Sequence, residues 1–185
     1  GLSTIFEALK YLESERYELH LLGAPQEGYV ARLLKLARAY GISPGKIRFH
    51  DPVAPIQIFT LCQMFDIGLS TEPAYCRNND SALSNKLFTY IQAGLAVVLS
   101  DTSAQKDFYD EYPLIGKCYR KGSPEDLARA IQFYMNHYEQ LEQTKQHNFL
   151  LGQQSLNWYT EGEHFIKNIE RVLLCPDRDK YPVKA

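Results

Sequence analysis

Residues 84–100 read SNKLFTYIQAGLAVVLS: a polar opening, a short helical pattern, a glycine, then an unbroken apolar run. Leu83, Leu87 and Ile91 recur four residues apart and so share one face of a helix. Asn85, Lys86 and Thr89 fall within one turn of each other on another face. Gly94 lets the chain turn tightly out of that helix, and LAVVLS (95–100) reads as a buried strand. Whether the fold is a stack of such helix–strand units depends on what lies on either side.

The same alternation continues in both directions. Upstream, STIFEALKYLES (3–14) carries Ile5, Phe6, Leu9 and Leu12 at helical spacing, and YELHLL (17–22) alternates as a strand up to Gly23. GYVARLLKLARAYG (28–41) is amphipathic, with Gly41 at its expected C-cap. IRFH (47–50) is a short strand, Pro55 opens a helix through IQIFTLCQMF, and DIGLS (66–70) is a strand. Downstream, LIGKCY (114–119) is a weaker, edge-type strand. SPEDLARAIQFYM follows with Ser123 as N-cap and Pro124 at the first helical position. Thr160-x-x-Glu163 reads as a capping box opening a last helix to about Leu174, and 175–185 is a polar, proline-broken tail. Strands alternating with helices predict an α/β fold: a Rossmann-like three-layer sandwich with a mostly parallel sheet, in one domain spanning 1–174.

Composition narrows the function classes. At 185 residues and a formal net charge of −2, the chain suits one soluble core and no polyanion-coating surface, so no nucleic-acid partner is expected. No apolar run approaches the roughly 20 residues of a membrane span, and no signal-peptide pattern opens the chain. Cys62, Cys76, Cys118 and Cys175 form no CxxC pair, and His137, His147 and His164 have no partner at ligand spacing. No metal is expected, and reduced thiols point to the cytoplasm.

In an open parallel sheet, ligands bind beyond the carboxyl ends of the strands. DIGLS ends at Ser70, the polar loop TEPAYCRNNDSALS follows, and a helix starts between Ser81 and Ser84. Free N–H groups at that start, the helix dipole and the Lys86 ammonium together suit an anion. An ordinary capped helix with a solvated lysine explains the same spacing.

NKLFTYIQAGLAVVLSD resembles the donor-site segment of retaining glycosyltransferases of the GT-B fold, group 1 (family 4). Members carry an Asn-Lys-Leu-Phe-Glu-Tyr type of helix followed by Ala-Gly-x-Pro-Val-Val. ELHLLG, KIRFHDPV, FDIGLS and SPEDLARAI resemble further segments of that family in the same order, over about 150 residues. The resemblance implies the C-terminal half of a GT-B fold, binding a nucleotide-diphosphate sugar as substrate in a cleft between two Rossmann-like halves. It implies that Ser84, Asn85, Lys86 and Thr89 hold the diphosphate end. Gly23, His50, Asp51 and Val53 would line the base and ribose pocket, and Glu72 and Ser81 could reach the sugar.

Three positions depart from that pattern. Thr89 stands where the family has a ribose-gripping Glu, Ser81 where many members have a second acid, and Ala96 where proline is usual. The alignment places Gly1 just after the domain's first strand and leaves out the acceptor-binding half, so this stretch alone is expected to be inactive. On that alignment 17–22 and 66–70 flank an empty lane, expected to close up by mutual pairing or to be filled by strand exchange with a second copy. The function implied is transfer of a sugar to a glycan or lipid-linked acceptor, with the full protein associating peripherally with a membrane. The alternatives are a degenerate, non-catalytic nucleotide-sugar-binding module and a GT-B-fold nucleotide-sugar epimerase.

Overall fold

Local chemistry sets most element boundaries. In the computed structural model, which describes residues 1–12 and 16–174, Ser84 has extended dihedrals (φ −82°, ψ 136°) and helix α5 runs Asn85–Ala93. Gly94, at φ 76°, ends it in the left-handed conformation that glycine adopts without a Cβ penalty, and β4 (Ala96–Ser100) follows. The preceding elements are α1 (Leu2–Leu9), β1 (Leu19–Leu22), α2 (Tyr29–Ala39), β2 (Ile47–His50), α3 (Pro55–Cys62), β3 (Ile67–Ser70) and α4 (Arg77–Ser81). After β4 come α6 (Ser103–Glu111), β5 (Gly116–Tyr119), α7 (Pro124–Asn136), α8 (Tyr138–Gln154) and α9 (Trp158–Leu173). Pro55 and Pro124 open α3 and α7 as expected, and Ser123 Oγ accepts from Asp126 N at 3.3 Å.

One sequence expectation is corrected at the C-terminal end. α9 starts at Trp158, not at Thr160: Asn157 is the cap, its Oδ1 accepting from Thr160 N at 3.1 Å. Periodicity alone does not delimit the 17-residue α8, which carries His147. The tail 175–185 lies outside the described residues.

Among the described residues every strand pair is parallel. β1 pairs with β2 (Leu19↔Ile47 to Leu22↔His50), and β4 lies between β3 and β5 (Ile67↔Ala96, Val97↔Gly116). β5 is an edge strand, as its weaker pattern suggested. Helices cover both faces: Ala96 and Val98 join one apolar cluster with α1, α2 and α7, while Val97 and Leu99 join a second with α5 and α6. Leu87 and Ile91 are fully buried in that second cluster. At roughly 1.5–3 kcal/mol per buried side chain, they hold the start of α5 firmly.

The expected closure of the sheet does not occur. Among the described residues β1–β2 and β3–β4–β5 are two separate ladders, with no backbone pairing between β1 and β3. Side chains join them instead. Ile5, Phe6, Ala8 and Leu9 of α1 pack in one cluster with Leu19 and Ile47 of the first ladder and with Ala96, Val98 and Tyr119 of the second. Phe6 and Ala8 have no exposed surface. Closing the ladders would have to displace this packing, at the cost of apolar burial.

β4 is also tied at both ends by amides. Asn148 of α8 donates from Nδ2 to Leu95 O (2.6 Å) and Ile115 O (2.7 Å), and Gln105 of α6 donates from Nε2 to Ser100 O (3.1 Å). Both side chains are fully buried.

Candidate functional site

At the carboxyl end of β3 the chain turns through Thr71 into Glu72. Glu72 is fixed through its backbone: Ser100 Oγ donates to Glu72 O at 2.8 Å. Ser100 is in turn held by Gln105, whose Nε2 donates to Ser100 Oγ (2.9 Å) and whose Oε1 accepts from Ser70 Oγ (2.5 Å). Each member of this buried network has a partner, so the carboxylate is presented from a rigid support.

Two groups meet that carboxylate. Lys86 Nζ reaches Glu72 Oε1 at 2.5 Å, and Asn79 Nδ2 donates to Oε2 at 2.9 Å. Burial pushes the Glu72 carboxyl up, but Lys86 and Asn79 outweigh it and hold the group below the ordinary carboxylate range. Asn79 Oδ1 is buried with no hydrogen-bond partner. Lys86 is the second residue of α5, whose N-cap Ser84 makes no side-chain capping bond. The first N–H groups of α5 are therefore not satisfied by a side-chain cap. The start of α1 lies at the same place: a Cβ on Gly1 would fall 2.6 Å from Thr71 O. Two helix N-termini and one ammonium thus gather around Glu72, an arrangement that suits a multiply charged anion.

Of the residues singled out from the sequence, Ser84, Asn85, Lys86 and Glu72 are brought together here. Thr89 lies one turn further along α5, where its Oγ1 donates to Asn85 O at 3.2 Å, so its proton is engaged by the helix itself. Ser81 ends α4 and is exposed. A cavity of about 430 Å³ adjoins the loop, lined by Pro73, Ala74, Cys76, Arg77, Asp80, Lys121 and Gly122. Asp80 in its wall accepts from Ser103 Oγ (2.5 Å) and Lys121 Nζ (2.9 Å), and these bonds pull its carboxyl down to about 2.

Gly23, His50, Asp51 and Val53 stand at the carboxyl ends of the other ladder. Gly23 N donates to His50 O at 3.1 Å, Asp51 is exposed and Val53 is half-buried. His50 has a partner that sequence reasoning did not assign: its Nε2 lies 2.8 Å from His20 Nδ1. His20 Nε2 lies 3.3 Å from Glu18 Oε2, and Glu18 also accepts from Arg48 at 2.9 Å. A carboxylate only accepts, so the contact with Glu18 is made by His20 Nε2–H, while the direction of the bond between His20 Nδ1 and His50 Nε2 is set by the tautomers of the two rings. The register that pairs His20 with Arg48 and Leu22 with His50 sets both histidines on one face, a proximity visible only once the strands are aligned.

Among the described residues, no group of three or more His, Cys, Asp or Glu side chains could hold a metal ion, and no helix is long and apolar enough to cross a membrane.

Residues 3–156 match the family model described as glycosyl transferase-like. No curated protein matches the chain. Among solved structures, Anabaena HepE in complex with UDP superposes with a TM-score of 0.77 at 16% identity, over 92% of this chain and 45% of that one. HepE has also been solved with UDP-glucose. WaaG, a glycosyltransferase involved in lipopolysaccharide biosynthesis, gives 0.67 at 18% identity over 90% and 43%. A glycosyltransferase from Rickettsia africae gives 0.73 at 14% identity over 94% and 45%. The chain therefore spans less than half the length of these three structures, and at such identities they speak to fold. With the matched family model covering most of its length and parallel ladders sheathed by helices on both faces, the chain belongs to the glycosyl transferase-like family and has the architecture of the C-terminal half of a GT-B glycosyltransferase.

Proposed function

We propose that the chain is the donor-binding half of a glycosyltransferase that moves a sugar from a nucleotide-diphosphate sugar to a glycan or lipid-linked acceptor. The observation that carries this reading is the cradle at the end of β3, where the starts of α1 and α5 and the Lys86 ammonium converge. In the proposed reaction, charge develops on the leaving diphosphate as the glycosidic bond breaks. Lys86 and the N–H groups of α5 would stabilise that charge without reorganising. Gly23, His50, Asp51 and Val53 would receive base and ribose. HepE, of the same architecture, has been solved with UDP and with UDP-glucose, which makes UDP the first ligand to test. Isothermal titration with UDP, GDP and ADP tests the reading: saturable binding of one supports it, and binding of none removes it. The proposed setting is the cytoplasm, with the full protein touching a membrane surface, and the reading requires no metal.

Thr89 favours a second reading, a nucleotide-sugar-binding module without turnover, because it offers a single hydroxyl oxygen where the family pattern has the paired acceptors of a carboxylate. Thr89→Glu would restore a carboxylate with paired acceptors for ribose hydroxyls. The reading of a working donor pocket predicts roughly three- to tenfold tighter UDP binding, the worth of one good hydrogen bond. Unchanged or weaker binding would show a pocket rebuilt away from the family geometry. The epimerase alternative is separated by product: incubation with a nucleotide sugar would invert a sugar carbon rather than transfer the sugar.

The inner edges of β1 and β3 also support a proposal of strand exchange. Chain 1–185 should form a dimer at micromolar concentration, read by light scattering coupled to size exclusion. A monomer at every concentration would dismiss it.

A further inference from the structure

The pairing of Lys86 with Glu72 sets how strongly the cradle can hold an anion. We propose that Glu72 is an affinity-limiting counter-charge: by neutralising Lys86, it weakens the hold on a diphosphate and eases release of the nucleoside diphosphate product. The inference rests on the donor-binding reading above and concerns the regulation of that same site.

Three observations carry it. Depth comes first. The Glu72 side chain is 14% exposed and that of Lys86 40%, so the carboxylate belongs to the more buried partner and Lys86 is the more accessible one to an anion arriving from solvent. Anchorage is the second. Asn79 Nδ2 holds the free carboxylate oxygen and Ser100 Oγ holds the Glu72 carbonyl, so moving the acid aside would break a hydrogen bond at the side chain and leave its backbone anchored. Charge balance is the third. Lys86 and Glu72 cancel as a pair, so a diphosphate gains less from Lys86 than from a free ammonium and draws correspondingly more on the helix starts, each equivalent to roughly half an elementary charge.

A lysine ammonium has three donors, so the contact with Glu72 leaves others for phosphate oxygens. Glu72 therefore does not block the site, and its effect is a graded loss of affinity. Such a loss matters in a transferase because the nucleoside diphosphate is a product, and product release sets turnover in many enzymes. A cradle with full cationic charge would hold the product as firmly as the substrate.

The test is Glu72→Gln, which keeps the shape and one acceptor oxygen, exchanges the other for a donor, and removes the charge. UDP and uridine are titrated calorimetrically into both proteins, with thermal unfolding as the check of fold. UDP should bind about tenfold more tightly to the variant, with its dissociation slowed to match in stopped flow, while uridine affinity stays the same. A purely structural role for Glu72 would lower or leave unchanged the affinity for UDP, and either result overturns the inference. Should Glu72→Gln not fold, Glu72→Ala carries the same expectation for UDP against uridine. A wild-type chain that binds no UDP overturns the donor-binding reading, and this inference with it. Wild-type binding without the gain in the variant overturns only this inference.

Discussion

Gly116→Ala should lower the melting temperature by about 10 °C or abolish soluble expression. Gly116 opens β5 and pairs with Val97 in the middle of the three-stranded ladder. A Cβ there would lie 1.7 Å from Val97 O, 2.6 Å from its carbonyl carbon and 2.9 Å from its nitrogen. These are backbone atoms of a strand whose five residues are all buried, so no rotamer change relieves the overlap. Either β5 separates from β4, losing ladder bonds, or β4 shifts against the two clusters packed on its faces. Both routes exceed ordinary overpacking, which costs roughly 1–3 kcal/mol, and about 3 kcal/mol or more is expected. In a chain of this size that corresponds to roughly 2–4 °C per kcal/mol. Gly45→Ala is the control: its Cβ would meet Ser43 Oγ at 3.7 Å, an ordinary contact. Circular dichroism melts of the two variants decide the matter, and equal shifts would refute the steric account.

Lys86→Ala should weaken UDP binding by roughly ten- to hundredfold and leave uridine binding within about twofold. A hydrogen bond to a charged group is worth roughly 1.5–3 kcal/mol, and about 1.4 kcal/mol is a factor of ten. The loss falls toward the upper end because the variant also leaves Glu72 without its ammonium. A mostly buried carboxylate would then face the diphosphate directly, held in place by Asn79 and Ser100. The nucleoside lacks the phosphates and senses neither change. Calorimetric titration of both ligands separates the effects, and equal losses for UDP and uridine would place Lys86 outside a phosphate site. The sign is opposite to that expected for Glu72→Gln, so the two variants together identify the charge, rather than the volume, as the acting quantity.

How much of this was legible in the sequence differs by element. The boundaries of α5 and β4 follow from Ser84, the i, i+4 apolar positions and Gly94, because those signals are local. Periodicity does not delimit α8, for a physical reason. Its buried residues are Leu141, Asn148 and Gly152, and an apolar-periodicity reading counts neither an asparagine nor a glycine as core. Yet a Cβ on Gly152 would fall 2.6 Å from Gln92 Cα, so that glycine is what lets α8 approach α5. The division into two ladders was not legible, since it depends on α1 packing across both of them. In the candidate site, Lys86 stood out by position. Its partner Glu72, fourteen residues earlier in an irregular loop, carried no periodic signal. The His20–His50 pair needed the strand register before it could be seen.

The amides at the two ends of β4 have a consequence for how the strand finds its place. In a half-exposed strand, alternation of apolar and polar residues fixes alignment, because a one-residue slip would turn the wrong face to water. AVVLS is buried on both faces, and in such a strand a slip costs little in hydrophobicity. Asn148 and Gln105 supply the missing discrimination. Only one alignment brings Leu95 O to the first amide and Ser100 O to the second, and any slip leaves buried carbonyls without donors at both ends. These two polar side chains are thus the register marks of an otherwise featureless strand. They sort correct from shifted pairings during folding, so that Ser100, and through it Glu72, arrives at the same place in every molecule.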